Sequence, residues 1–201
     1  QYTHPGSPPT KWVREGNARM IQDKLSDWLD HADGTEAGSS FVRQSQSYLS
    51  GSHTSDLTSI TYSACLFWQY YCEQFGTDHT DPDYGIDALT TYWDTGVNPT
   101  GEHGITMMNN ALDFLSPGTT FEDVFEDFSM AIYAKDLDAL TVPSKWTFID
   151  DDETDGSGNY GTVSREIDPI PTLLAGGDIT DPAETINAWS NKYYEVNIDP
   201  G

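Results

Sequence analysis

Glu15 stands in the run Trp12-Val13-Arg14-Glu15-Gly16-Asn17-Ala18. A carboxylate inside an otherwise core-facing helical turn is costly unless it is ionised and paired. Gly16 beside it lets a second backbone or helix approach closely. A metal ion is one natural partner for such a carboxylate; an exposed first-turn glutamate favoured by the helix dipole is the other reading. A second oxygen-rich stretch holds Asp151, Glu153 and Asp155, followed by Gly156. This is the opening spacing of an EF-hand-like calcium loop. Thr162 stands where the closing glutamate of that loop would be, so the choice is between a calcium-stabilised turn and a solvated loop. Asp78, Asp81 and Asp83 form a similar loop around His79.

Other chemistries fail on their spacing. The histidines are His4, His31, His53, His79 and His103, and no two lie four residues apart, so His-Glu-x-x-His is absent from the sequence. There is no Gly-x-Ser-x-Gly elbow, phosphate-binding loop or dinucleotide fingerprint. Cys65 and Cys72 lie in one apolar run. On a helix they would share a face but sit about 10 Å apart, beyond the roughly 7 Å that a disulfide spans. They read as buried free thiols, or as bonded to another chain.

The elements that must hold these residues follow from periodicity. Residues 12–30 read as an amphipathic helix with Trp12, Ala18, Ile21, Leu25, Trp28 and Leu29 inward. Residues 41–49 read as a shorter helix or an irregular segment. Residues 57–75, capped by Ser55 or Asp56, read as a central helix that is apolar on nearly every side. Further helices are expected over 84–94, 104–115 and 121–133. After Pro143 the pattern shifts to short alternating runs and turn pairs, with 191–198 as a strand. The expectation is therefore an α+β fold: a mainly helical unit over 1–143 and a small β-rich unit over 144–201, with an incomplete β-sandwich as one reading of the latter.

Charge restricts the partners. The chain carries 33 acidic against 9 basic residues, a net charge of -24. Too few lysines and arginines remain to neutralise phosphates, which excludes a nucleic-acid role and disfavours anionic membranes. No run of apolar residues is long enough to insert in a bilayer. The aromatic share of 12% compensates for a modest aliphatic content. The acidity reads as a solubilising surface, a high-salt habitat or a means of binding calcium. The Pro/Gly/Ser-rich opening from Gln1 reads as a processed end, and the expected location is extracellular.

Several stretches together resemble one family. They are Trp12-x-x-Glu15-Gly16-x-Ala18, then Tyr62-x-Ala64-x-x-Phe67-x-x-Tyr70 leading to Phe75-Gly76, then Phe121, Phe125, Phe128 and Ala131. In this order they resemble the helical half of the catalytic domain of gluzincin metallopeptidases. More narrowly, they are similar to secreted members that continue into β-sandwich domains. The resemblance spans roughly residues 11–136, with an echo at 189–194, and implies that the helical unit over 1–143 is metallopeptidase-like. It implies zinc, peptide-bond hydrolysis, Glu15 as the third zinc ligand and Tyr62 as a stabiliser of the oxyanion. His53 and His103 are further candidates for that last role.

The chain departs from the family in lacking the His-Glu-x-x-His helix that supplies two ligands and the general base. Met20 and Gln22 also stand where the family carries an aromatic residue and a second acid. The expected partner is therefore an N-terminal segment of the same precursor bearing the histidines. The other reading is a catalytically inactive extracellular assembly protein whose partner is another copy of itself.

Overall fold

A computed structural model describes residues 10–25, 41–52, 54–80, 84–95, 104–135, 142–149, 187–191 and 193. Its helices are α1 (Lys11–Leu25), α2 (Phe41–Gly51), α3 (Cys65–Phe75), α4 (Ile86–Thr95), α5 (Ile105–Leu115) and α6 (Phe121–Ala134). Single 3-10 turns stand at Tyr62–Ala64, leading directly into α3, and at Ser144–Trp146.

Helix α3 is the axis. Every residue from Cys65 to Glu73 is buried, as its unbroken apolar run requires. Trp68 is central. It stacks on Trp12 of α1 with ring centres 5.3 Å apart, meets Tyr92 of α4 edge-on at 4.9 Å, and donates its indole N–H to the Trp12 carbonyl at 3.0 Å. Phe67 on the next face meets Phe121 and Phe128 of α6 at 5.6 and 5.3 Å. The stripe Phe121, Val124, Phe125, Phe128, Ala131 and Ile132 is buried as its period demands. Thr120 and Asp123 close a reciprocal capping box at the start of α6. Cys65 and Cys72 are free and buried.

The central helix begins later than its apolar pattern suggests. Asp56 accepts from the Thr58 N–H at 2.8 Å and from the Thr58 and Ser59 hydroxyls. It closes a local turn instead of capping a helix, a competition typical of aspartate. Leu57 is buried from that turn, so the apolar periodicity continues while the helix does not.

Helix α1 presents a different face from the one its apolar residues trace. Trp12, Val13, Gly16, Asn17, Met20, Asp23 and Lys24 are buried, whereas Ala18 is exposed and Leu25 is 70% exposed. Gly16 decides this. A Cβ there would lie 2.8 Å from the Trp68 ring, so only glycine lets the indole sit against the α1 backbone. That contact rotates polar residues inward. The Lys24 ammonium lies 4.9 Å from the centre of the Tyr84 ring, a cation–π contact that accommodates its charge. Trp28 and Leu29 lie outside the described residues.

The α+β expectation is corrected. Among the described residues the structure is helical, with six α-helices and no strand. The described parts of the expected β-rich unit lie on the helices in irregular conformation. Residues 144–149 cross α3: Tyr70 donates to the Lys145 carbonyl at 2.5 Å, Gln74 to that of Thr147 at 3.0 Å, and the Ile149 N–H donates to buried Glu73 at 2.7 Å. Residues 187–191 and 193 cross α2 and α6. Trp189 packs edge-on against Phe121 and Phe125, and the Asn191 amide donates to Tyr48 at 3.2 Å and accepts from Ser129. Alternation in these segments therefore reports alternate side chains inserted between helices. Strand and docked irregular chain share that period of two, and their hydrogen-bond partners distinguish them.

Candidate functional site

Glu15 and Tyr62, taken from different elements in the sequence, meet in the fold. Glu15 lies at one edge of the buried face of α1, with its side chain 21% exposed. Tyr62 opens the 3-10 turn before α3 and is 40% exposed. The Tyr62 hydroxyl lies close enough to the Glu15 carboxylate for each to shift the other's ionisation. The packing of Gly16 against Ala64 and Trp68 brings the two elements together.

Two arginines complete the cluster. Arg14 reaches Glu15 Oε1 through Nη2 at 2.7 Å and Nε at 2.8 Å. Arg19, one turn further along α1, places its guanidinium carbon 5.4 Å from the centre of the Tyr62 ring and donates to Gln22 at 2.9 Å. The neighbouring Tyr62 hydroxyl, then Arg14, holds the Glu15 carboxyl below its ordinary range. The carboxylate in turn raises Tyr62. The site is thus an ionised carboxylate with a phenol donor, at the surface of a rigid aromatic core. Such a carboxylate is a good ligand or hydrogen-bond acceptor and a weak base. The arginines were not singled out from the sequence, although the four-residue spacing of Glu15 and Arg19 on α1 is a usable signal.

Zinc needs more than this chain's described residues supply. They offer one carboxylate, already engaged by a guanidinium, and a phenol. Among the described residues no group of three or more His, Cys, Asp or Glu side chains could hold an ion. His79 is exposed in the loop after α3. His4, His31, His53 and His103 lie outside the described residues, as do the calcium candidates Asp151, Glu153 and Asp155 and the loop acids Asp81 and Asp83. Asp78 caps its own turn, accepting from the Thr80 N–H at 3.0 Å and its hydroxyl at 2.6 Å. The donor set does not fit zinc by itself.

Two other places are chemically quieter. Burial pushes the Cys65 and Cys72 thiols up to about 12, which removes them as nucleophiles near neutrality. A groove of about 380 Å³ between α6 and the Ser144–Trp146 turn is lined by Asp123, Glu126 and Asp127. Of these, Asp127 is met from within: Lys145 pairs with it at 2.7 Å and the Trp146 indole donates to the same oxygen at 2.9 Å. Among the described residues no helix is long and apolar enough to cross a membrane.

Compared with models of protein families, with curated proteins and with solved structures, the chain matches none.

Proposed function

We propose that this chain is the carboxylate-bearing helical half of a secreted zinc-metallopeptidase-like domain. Peptide-bond hydrolysis would arise when a segment carrying His-Glu-x-x-His completes the site. The observation that carries this reading is the meeting of Glu15 and Tyr62 where Gly16 packs against Ala64 and Trp68. It joins an ionised carboxylate and a phenol from two separate elements at an exposed edge backed by Gly16 and Trp68. In this reading Glu15 offers one ligand to the metal and Tyr62 keeps the carboxylate oriented. The arriving segment supplies the imidazoles and the general base.

A second reading rests on a different observation. The Arg14 guanidinium sits 2.7 Å from Glu15, as expected if the carboxylate is only a surface ion pair. The chain would then be an inactive extracellular assembly protein on a peptidase-like fold.

The two readings separate on Glu15→Gln. This change keeps the shape and the Tyr62 contact but removes the negative charge. In the native secreted protein it is expected to lower peptide hydrolysis by more than about 100-fold, because loss of even an outer-shell partner of a metal costs about 10–100-fold. Circular dichroism and the melting temperature should stay nearly unchanged, since exposed ion pairs contribute little to stability. Hydrolysis that survives the substitution would remove Glu15 from the site. No hydrolysis in the parent protein would leave the assembly reading.

A further inference from the structure

The basic residues of this chain are concentrated on one helix. Nine lysines and arginines serve 201 residues with 33 acids. Helix α1 alone holds Lys11, Arg14, Arg19 and Lys24 against Glu15 and Asp23. Lys24 is buried, whereas Lys11 and Arg14 are exposed and Arg19 is half-buried. Arg14 and Arg19 stand on either side of the Glu15–Tyr62 contact.

The two arginines are held differently. Arg14 is 51% exposed and held by its chain neighbour Glu15, so it can swing away with little disturbance. Arg19 lies on the Tyr62 ring and against Gln22, and its Nε is buried without a hydrogen-bond partner. Both of its contacts are neutral, so its charge is not compensated by them. A guanidinium stacked on an aromatic ring has already lost much of its rotamer freedom. It is therefore prepared to take a carboxylate through parallel N–H···O bonds. In a chain of net charge -24, Arg14 and Lys11 both act on Glu15 and Arg19 lies over Tyr62, so this edge gathers cations that favour an incoming carboxylate.

We propose that Arg19, assisted by Arg14, makes the Glu15–Tyr62 edge select peptides that present a carboxylate beside the bound backbone, from an acidic side chain or a free C-terminus. The inference rests on the reading of this edge as a peptide site. Arg14 then exchanges Glu15 for the incoming carboxylate, while Arg19 keeps its place on Tyr62. Arg19 is a specificity-determining residue in this account.

The test uses the native protein and three labelled peptides of one sequence: neutral and amidated, neutral with a free C-terminus, and amidated with one internal glutamate. Binding is read by fluorescence polarisation and hydrolysis by product release. At least one carboxylate peptide is expected to bind about tenfold more tightly than the neutral one, the gain of one charge-assisted pair. Which of them does so identifies the source of the carboxylate. Arg19→Gln should bring the ratio toward one, with the carboxylate peptide losing far more than the neutral peptide. Arg19→Lys should restore it only in part, since the ammonium lacks the planar fork. An unchanged ratio in Arg19→Gln, or equal losses for both peptides, would overturn the inference and leave Arg19 as a mere support for Tyr62. Selective binding without hydrolysis would sustain the inference and defeat the peptidase reading. Hydrolysis without carboxylate preference would do the reverse.

Discussion

Trp68→Ala is expected to destabilise the protein by about 3–5 kcal/mol, the range for truncating a large buried aromatic residue. The indole is fully buried. It contacts Trp12, Phe67, Tyr71 and Tyr92 with ring centres between 4.9 and 5.8 Å. It also satisfies the Trp12 carbonyl at 3.0 Å. Removing it opens a cavity at the junction of α1, α3 and α4 and leaves that carbonyl without its indole donor. A chain of this size loses roughly 2–4 °C per kcal/mol, so a drop of roughly 6–20 °C is expected in a thermal melt. Trp68→Phe should fall between the parent and the alanine variant, because it keeps ring volume and loses the donor. A fall of less than about 2 °C in Trp68→Ala would show that α3 is not the packing axis.

Gly85→Ala is the second large effect, and it acts through the backbone. Gly85 has φ +80°, and a Cβ there would lie 2.0 Å from the Cys72 carbonyl oxygen. Gly76 packs against it, since a Cβ on Gly76 would fall 2.3 Å from the Gly85 Cα. This glycine pair lets the turn before α4 lie directly on the C-terminal end of α3. Left-handed backbone costs an alanine about 1–2 kcal/mol. Relieving the overlap also pulls Gly85 from its hydrogen bonds with the Asp78 carbonyl and the Ala88 N–H, at about 1 kcal/mol each. The expected loss is about 3–4 kcal/mol, visible as a lower denaturant midpoint with an unchanged slope. Gly118 has φ +90° but nothing within 4 Å. Gly118→Ala should therefore cost only the backbone term, and the difference between the two variants isolates the close approach.

The helices were legible because their signals are local. The apolar run of α3, the stripe of α6 and its Thr120–Asp123 box all lie within one element, and the described helices follow them closely except at the start of α3, which begins at Cys65 and not near residue 57. Orientation was less legible. In α1 the buried face runs through Asn17, Asp23 and Lys24 because Gly16 admits Trp68, a partner more than fifty residues away that no local pattern reveals. The tail misled for a related reason. Trp146 and Phe148, like Trp189, Asn191 and Tyr193, alternate because they insert between helices, and a period of two does not distinguish that from a strand. At the site, Glu15 and Tyr62 were each readable as chemistry-bearing residues. Their meeting was not, because it depends on how α1 is turned against the start of α3. The contact of Arg19 with the Tyr62 ring depends on the same packing.

The central claim is that Glu15 belongs to a zinc site completed from elsewhere. The most direct test is intact mass together with zinc content on protein purified from its native source. The account predicts that these residues travel with a sequence carrying His-Glu-x-x-His, on the same or a tightly associated polypeptide, with about one zinc for each Glu15. A purified protein without that sequence and without zinc would contradict it.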